Sequence, residues 1–333
     1  MALSGASAKS PAQPTSSGLT RVAPVLGISL KLGSTLMFTI MMAMLKMAAE
    51  TVPIGEIVFA RNFFGMFPVL IMVAWRGELA LALKTSRPLS HLGRSSVGIS
   101  AMILSFTGFS LLPLPDATAI GFATPLFVVV LAWLVLHETI RLYRWSAVVI
   151  GFLGILIILS PHMGESTVGN GQMIGAACAA LSAVFAAMAM IFVRRLCETE
   201  RTTTIVTWFS GSATLLALLT IPIGFAYPDQ AWVLPDGDTA FILMMVGLAG
   251  GIGQILLTQS YRYADASTIA PFDYANMIWA VILGYVLFAE VPLPEVLIGA
   301  AIVIAAGIFV IFREHRLGID RTKARRASTP SRS

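Results

Sequence analysis

The sequence predicts an all-α membrane protein of ten transmembrane helices arranged as two inverted five-helix repeats, and three observations carry that prediction. Of the 333 residues, 57% are hydrophobic and only 12% charged, whereas a soluble domain is about a quarter charged. The apolar residues fall in long unbroken runs, not in the short alternating segments of an outer-membrane barrel. Finally, the second half of the chain answers the first at a shift of about 150 residues.

Crossing about 30 Å of hydrocarbon at about 1.5 Å per residue takes roughly 17 to 25 apolar residues. Ten stretches meet that need: 27–49, 57–75, 95–114, 117–137, 145–160, 172–193, 204–226, 239–260, 267–289 and 294–312. The fifth is short and the third carries several hydroxyls. Residues 1–24, rich in Ser, Ala and Pro, are expected as a disordered cytoplasmic N-terminus. The first apolar run is too long for a secretory signal and lacks a small-residue cleavage site, so it counts as helix one. Residues 25–160 then form the first five-helix repeat, 172–313 the second, and 314–333 a basic cytoplasmic tail.

Orientation follows from the loops, because Lys and Arg collect on the cytoplasmic side. Arg76, Lys84, Arg87 and Arg94 follow the second span, Arg141 and Arg144 the fourth, Arg194, Arg195 and Arg201 the sixth, and Arg262 the eighth. The alternate loops hold acids: Glu50, Glu56, Asp116, Glu165, Asp229, Asp236, Asp238 and Glu295. Both termini are therefore expected in the cytoplasm of a bacterial cell, with the chain crossing its inner membrane many times. The basic tail, which has no aromatic interleaving, reads as a flank attracted to anionic lipid and not to nucleic acid.

The repeat is visible residue by residue. DATAIGFATPLFVVVLAWLVLHE (116–138) answers DASTIAPFDYANMIWAVILGYVLFAE (265–290), and WSAVVIGFLGILIILS (145–160) answers IGAAIVIAAGIFVIFR (298–313). Asp116 meets Asp265, Glu138 meets Glu290, and Gly154 meets Gly307. Five spans per unit is an odd number, so the second copy enters the membrane from the opposite side. Inverted pairs of this kind let two near-equal conformations open to opposite faces, which is the arrangement that solute transport requires.

Three stretches carry a family resemblance: KMAAETVPIGEIVFAR (46–61), TPLFVVVLAWLVLHE (124–138) and YRYADASTIAPFDYANMIWAVILGYVLFAEVP (261–292). They resemble the drug/metabolite transporter superfamily, specifically its ten-helix EamA-type branch, over roughly residues 25–315. Within that branch the chain is most similar to S-adenosylmethionine and riboflavin uptake permeases, a likeness that includes KTSRP at 84–88. Membership implies ten helices, cytoplasmic termini, a central cavity and alternating access. It implies no particular substrate, since the branch includes exporters of amino acids and drugs.

Ionisable and polar groups inside lipid are costly, about 2.5 kcal/mol upward for a charge, so each is a candidate for function. Asp273 comes first; it stands beside Pro271, Tyr274 and Asn276, where a proline early in a span frees backbone groups to line a wet cavity. The alternative is that Asp273 caps a helix starting at Pro271. Arg61 and Lys46 are placed to receive an anionic group; equally, Lys46 can pair with Glu50 one turn on, and both can snorkel to the interface. Gln254, at the end of GLAGGIGQ (247–254), needs a hydrogen-bond partner in mid-membrane, as do Ser105 and Thr107. The glycines of that run either pack closely or permit local unwinding. Trp279 is kept as a stacking candidate, whereas Trp133, Trp208 and Phe272 read as packing residues. Lys46, Glu138, Glu290, Pro125 and Pro271 are candidate gating or structural positions.

Enzyme chemistry finds no support. His91, His137, His162 and His315 are scattered, Cys178 and Cys197 form no ligand pair, and no phosphate-cradling loop ends in Lys-Ser or Lys-Thr. No cofactor, metal or nucleic acid is expected, nor is direct ATP drive. The expected partners are a small-molecule substrate and the lipid bilayer, with a coupled proton or other ion and a homodimer left open. Asp273 is the only acid placed to carry such a proton.

Overall fold

The computed structural model describes residues 24–316 apart from 76, 78, 138, 163–169, 198, 201 and 265. The expected N-terminal segment and basic tail lie almost wholly outside the described residues. So do Glu138, Glu165, Asp265, Arg76 and Arg201. Every described element is helical.

The first half runs α1 (Pro24–Ala48), α2 (Ile54–Trp75), short α3 (Leu79–Leu83), α4 (Pro88–Leu111), α5 (Leu114–Gly121), α6 (Thr124–Leu136) and α7 (Leu142–Leu159). The second runs α8 (Asn170–Leu196), α9 (Thr202–Ala217), short α10 (Ile223–Ala226), α11 (Gly237–Tyr263), α12 (Ala266–Ile269), α13 (Ala275–Phe288) and α14 (Pro294–Arg316). Among the described residues nine helical stretches are long and apolar enough to cross a membrane, which makes this an all-α, multi-pass membrane protein. The third expected span, 95–114, is α4. It begins earlier than expected, at Pro88, whose fixed φ suits a first helical turn. It thereby takes in His91 and Arg94 and is not among the nine.

Two expected spans are interrupted at matching places. The fourth breaks between α5 and α6, where Pro125 sits in the first turn of the new helix. The ninth breaks between α12 and α13, through a tight turn of 3-10 helix over Ala270–Tyr274 that contains Pro271. Both broken helices then end alike, on His137 (φ 53°) and Ala289 (φ 54°), the only non-glycine residues with positive φ among those described. Left-handed backbone at a residue with a Cβ is unfavourable, so these two stops are held by their surroundings. The seventh expected span, 204–226, is not one helix: α9 stops at Ala217, and Pro222, which lacks an N–H, precedes α10.

α1 packs on α11 and α4 on α8, while α7 pairs with α14 and α2 with both α11 and α9. Small residues make the close crossings. A Cβ on Gly154 of α7 would meet the Gly299 carbonyl oxygen of α14 at 2.9 Å, and a Cβ on Gly299 would meet that of Gly154 at 2.5 Å. The glycine run of α11 packs on both sides: a Cβ on Gly251 would lie 2.6 Å from the Gly65 oxygen of α2, and one on Gly250 2.7 Å from Met41 of α1. α11 continues unbroken through it, so the run serves close packing and not unwinding.

Candidate functional site

A cavity of about 230 Å³ lies where the two broken helices meet. Thr118, Gly121 and Phe122, at the end of α5, line one wall, and Asn276, at the start of α13, the other. α1 contributes Phe38, Thr39 and Met42, and α4 and α8 contribute Ser105 and Ser182. Hydroxyls, one amide and aromatic rings therefore face a shared space, the lining expected of a small-molecule site.

The wall that α1 presents has a regular cause. Lys31, Thr35 and Thr39 are spaced by four, so they stack on one face, and all three are buried. Each meets a residue of the ninth-span segment. Lys31 Nζ pairs with Asp273 Oδ1 at 2.5 Å and lies 5.7 Å from the centre of the Tyr261 ring. Trp279 Nε1 donates to Thr35 Oγ1 at 3.2 Å, and the Thr39 hydroxyl contacts the Asn276 amide at 3.1 Å. Asp273 thus neither stands alone nor caps α13: it is the counter-ion of a buried ammonium. Tyr274 packs edge-on against Phe122 across the break, 5.2 Å between centres, with its hydroxyl in the gap left by Gly307. Tyr274 therefore ties the two broken helices together and does not project freely into the cavity.

Lys46 corrects an expectation. It pairs not with Glu50, which is exposed, but with Glu290 at the far end of α13. Lys46 Nζ also donates to the Leu112 carbonyl at 2.6 Å, while Glu290 accepts the Leu114 N–H at 2.7 Å. One ion pair thereby fastens α1, the α4–α5 junction and the end of α13. Two acids expected in loops are likewise inside: Asp116 is 1% exposed and bonded to His162 at 3.0 Å, and Glu56 is buried and accepts the Val233 N–H at 3.2 Å. Each begins a helix beside a packed neighbour, so burial and not sequence position decides its role.

Arg61 and Gln254 share a second, smaller cavity of about 60 Å³ between α2, α4, α9 and α11. Arg94, read from sequence as a loop residue, lies in it too. Thr107 is in neither cavity. It lines a vestibule of about 640 Å³ at one end of the molecule with Glu50, Ser110 and Asp229, and its hydroxyl bonds the Ile103 carbonyl at 2.9 Å. Trp133 stacks edge-on with Trp145, and Trp208 donates to the Leu83 carbonyl at 3.1 Å, in keeping with packing roles. Sequence reasoning missed Lys31, Thr35, Thr39 and Arg94. The four-residue spacing of the first three inside an apolar run was the available signal.

Among the described residues no group of three or more His, Cys, Asp or Glu side chains is placed to hold a metal. Known proteins resemble this chain over most of its length. An S-adenosylmethionine uptake transporter of Rickettsia prowazekii (strain Madrid E) is 30% identical over 78% of this chain and 84% of its own length. A riboflavin transporter of Rhizobium johnstonii is 30% identical over 75% of this chain and 79% of its own. A pseudopaline exporter of Pseudomonas aeruginosa is 28% identical over 89% and 96%. A solved crystal structure shares the fold at a TM-score of 0.62 and 17% identity, covering 87% of this chain and 98% of that one. The EamA-like transporter family matches twice in succession, over residues 25–160 and 173–313. A helical membrane protein with a polar cavity at two helix breaks, matched twice by that family, belongs to it: the chain is a member of the EamA-like transporter family, a transporter and not an enzyme.

Proposed function

We propose that this transporter is a secondary carrier that moves a small organic metabolite by alternating access, holding it in the cavity where the two broken helices meet. The carrying observation is that juxtaposition. Discontinuous helices at corresponding positions of two halves are where carriers build their sites, because freed backbone groups and polar side chains can replace the solute's water.

The inverted-repeat reading draws support from the packing. Exchanging the first five spans with the second five turns the α1–α11 contact into the α8–α4 contact and maps α7–α14 and α2–α9 onto themselves. The left-handed stops at His137 and Ala289 and the two successive family matches point the same way. On this reading α4 is the third of ten spans, and both termini lie on the cytoplasmic side of the bacterial inner membrane. The Lys46–Glu290 pair then holds the outer end closed. A cavity of about 230 Å³ is below the roughly 300–1,000 Å³ of a drug-sized ligand site, so the solute enters only when the halves move apart.

Uptake of a vitamin or nucleoside-like compound such as riboflavin or S-adenosylmethionine is the favoured direction and class, supported by two of the relatives. Export is the second reading, supported by the pseudopaline exporter. An ion gradient or the solute's own gradient supplies the drive, with Asp273, half exposed beside Lys31, as the candidate proton carrier. One charge crossing about 100 mV provides about 2.3 kcal/mol for the purpose. Purified protein in liposomes is expected to accumulate labelled solute from a panel of vitamins, nucleosides and amino acids. No movement of any of them, together with co-purification of a stoichiometric partner, would instead favour a membrane scaffold.

A further inference from the structure

The Arg61–Arg94 cavity is electrostatically incomplete. Arg61 comes from α2 and Arg94 from α4, and both line the same space of about 60 Å³. Nε of each and Nη1 of Arg94 are buried without a hydrogen-bond partner. What contacts they do have are weak: Arg61 Nη1 donates to the neutral Asn62 side chain at 3.1 Å, and the Arg94 guanidinium lies over the Phe209 ring, 3.5 Å from its centre. No described acid lines this cavity. Asp273, Glu290, Asp116 and Glu56 are engaged with Lys31, Lys46, His162 and Val233. Two like charges taken out of water without a counter-ion are expensive, so the arrangement calls for an anion from outside the chain.

The geometry narrows that anion. Guanidinium groups bind planar oxyanions in bidentate fashion. The space holds a few water-sized groups, enough for a carboxylate and too little for a whole metabolite. The central cavity lies close by: Phe38, which lines it, would be met at 3.1 Å by a Cβ on Gly253, while Gly250, Gly251 and Gln254 beside that glycine line the arginine cavity. A solute whose carboxylate sits between the arginines extends toward that ring.

We propose that Arg61 and Arg94 form the carboxylate subsite of the transport pathway, so that within the class proposed above this carrier selects solutes bearing a carboxylate, as S-adenosylmethionine does, over neutral ones such as riboflavin. The inference rests on the transport reading for its purpose and on the arginine pair alone for its chemistry. An apolar slot of about 80 Å³ containing Met72, Val73 and Ile255 adjoins the cavity at Val69, Val206 and Gln254, so an anionic lipid is the other source of the same oxyanion.

The test measures binding to the full-length purified chain in pure phosphatidylcholine nanodiscs. The probes are matched pairs: S-adenosylmethionine, phenylalanine and glutamine, each against its decarboxylated counterpart, with riboflavin alongside. At least one carboxylate is expected to bind about tenfold to a hundredfold tighter than its counterpart, the strength of a charged hydrogen bond. Arg94→Gln and Arg61→Gln are expected to bring that pair close to parity, and Arg94→Lys to restore the preference only partly. No binding of any carboxylate at millimolar concentration, equal affinity within every pair, or a preference unchanged in both Gln variants overturns the proposal. So does an arginine dependence seen only when phosphatidylglycerol is added, which assigns the anion to lipid. Equal affinity within the wild-type pairs overturns the proposal even if the variants fail to fold. Parallel liposome assays separate the two readings: carboxylate-selective binding without movement defeats transport alone, and movement blind to the carboxylate defeats this inference alone.

Discussion

Lys31 is 2% exposed, and among the described residues it pairs with Asp273, a carboxylate whose own side chain is half exposed. Removing that partner strands an ammonium. Asp273→Asn should therefore cost more than the roughly 1 kcal/mol of a surface pair and approach the about 3–5 kcal/mol of a fully buried one. It should also abolish most transport. The double variant Lys31→Met, Asp273→Leu is expected to recover thermal stability in detergent without recovering transport; recovery of both would make the pair purely structural. Glu290 invites a different measurement. Glu290→Gln releases Lys46 from the α13 end, so a Thr118→Cys probe, in a background without Cys178 and Cys197, should react faster with a membrane-impermeant thiol reagent. An unchanged rate would remove Glu290 from any gate. Some of this was legible beforehand: Asn276, Trp279, Arg61 and Gln254 stand out as polar groups in apolar runs. The Lys46–Glu290 pair was not, because the local partner Glu50 satisfies every sequence rule and only the fold brings position 290 nearer.

Helix crossings carry the next layer. Gly154 and Gly299 meet backbone to backbone, so no side-chain rotation can make room at that point. Gly299→Val should force α7 and α14 apart and cost about 1–3 kcal/mol, read as a lower Tm in detergent. Gly211, whose Cβ position meets nothing within 4 Å, provides the contrast: Gly211→Ala should leave Tm unchanged or raise it. At the other end of the molecule Glu200 fastens the loop before α4, accepting from Thr85 at 2.8 Å and from the Ser86 N–H and hydroxyl at 3.0 Å. Burial works to raise its pKa, but those bonds and nearby His91 outweigh it and hold the carboxyl below the usual 4.5. Because the folded value is the lower one, this contribution is present above about pH 4.5 and is lost as pH falls through the folded pKa. Protease cleavage in residues 84–87 should accordingly rise with acidification in the wild type, and Glu200→Gln should be cut readily at every pH. Long spans were legible from apolar length alone. α4 was not bounded correctly, because His91 and Arg94 lie inside it and look like loop. Nor were the breaks in the fourth and ninth spans resolved, since apolar composition does not register where the backbone ladder stops.

At the scale of the whole molecule, the two halves interlock through α1 on α11 and α4 on α8, leaving the central cavity between the broken helices. A five-plus-five plan is an expectation drawn from residues matched at a fixed shift, and the proposed function rests on it. What such a shift conceals is which charges face one another, since the described ion pairs join positions far apart in the chain. The stops at His137 and Ala289 carry one more implication. Glycine populates that backbone region at no steric cost, so substituting it at either position should add about 1–2 kcal/mol of stability, read as a higher Tm in detergent, and the two gains, at separate helix ends, should sum.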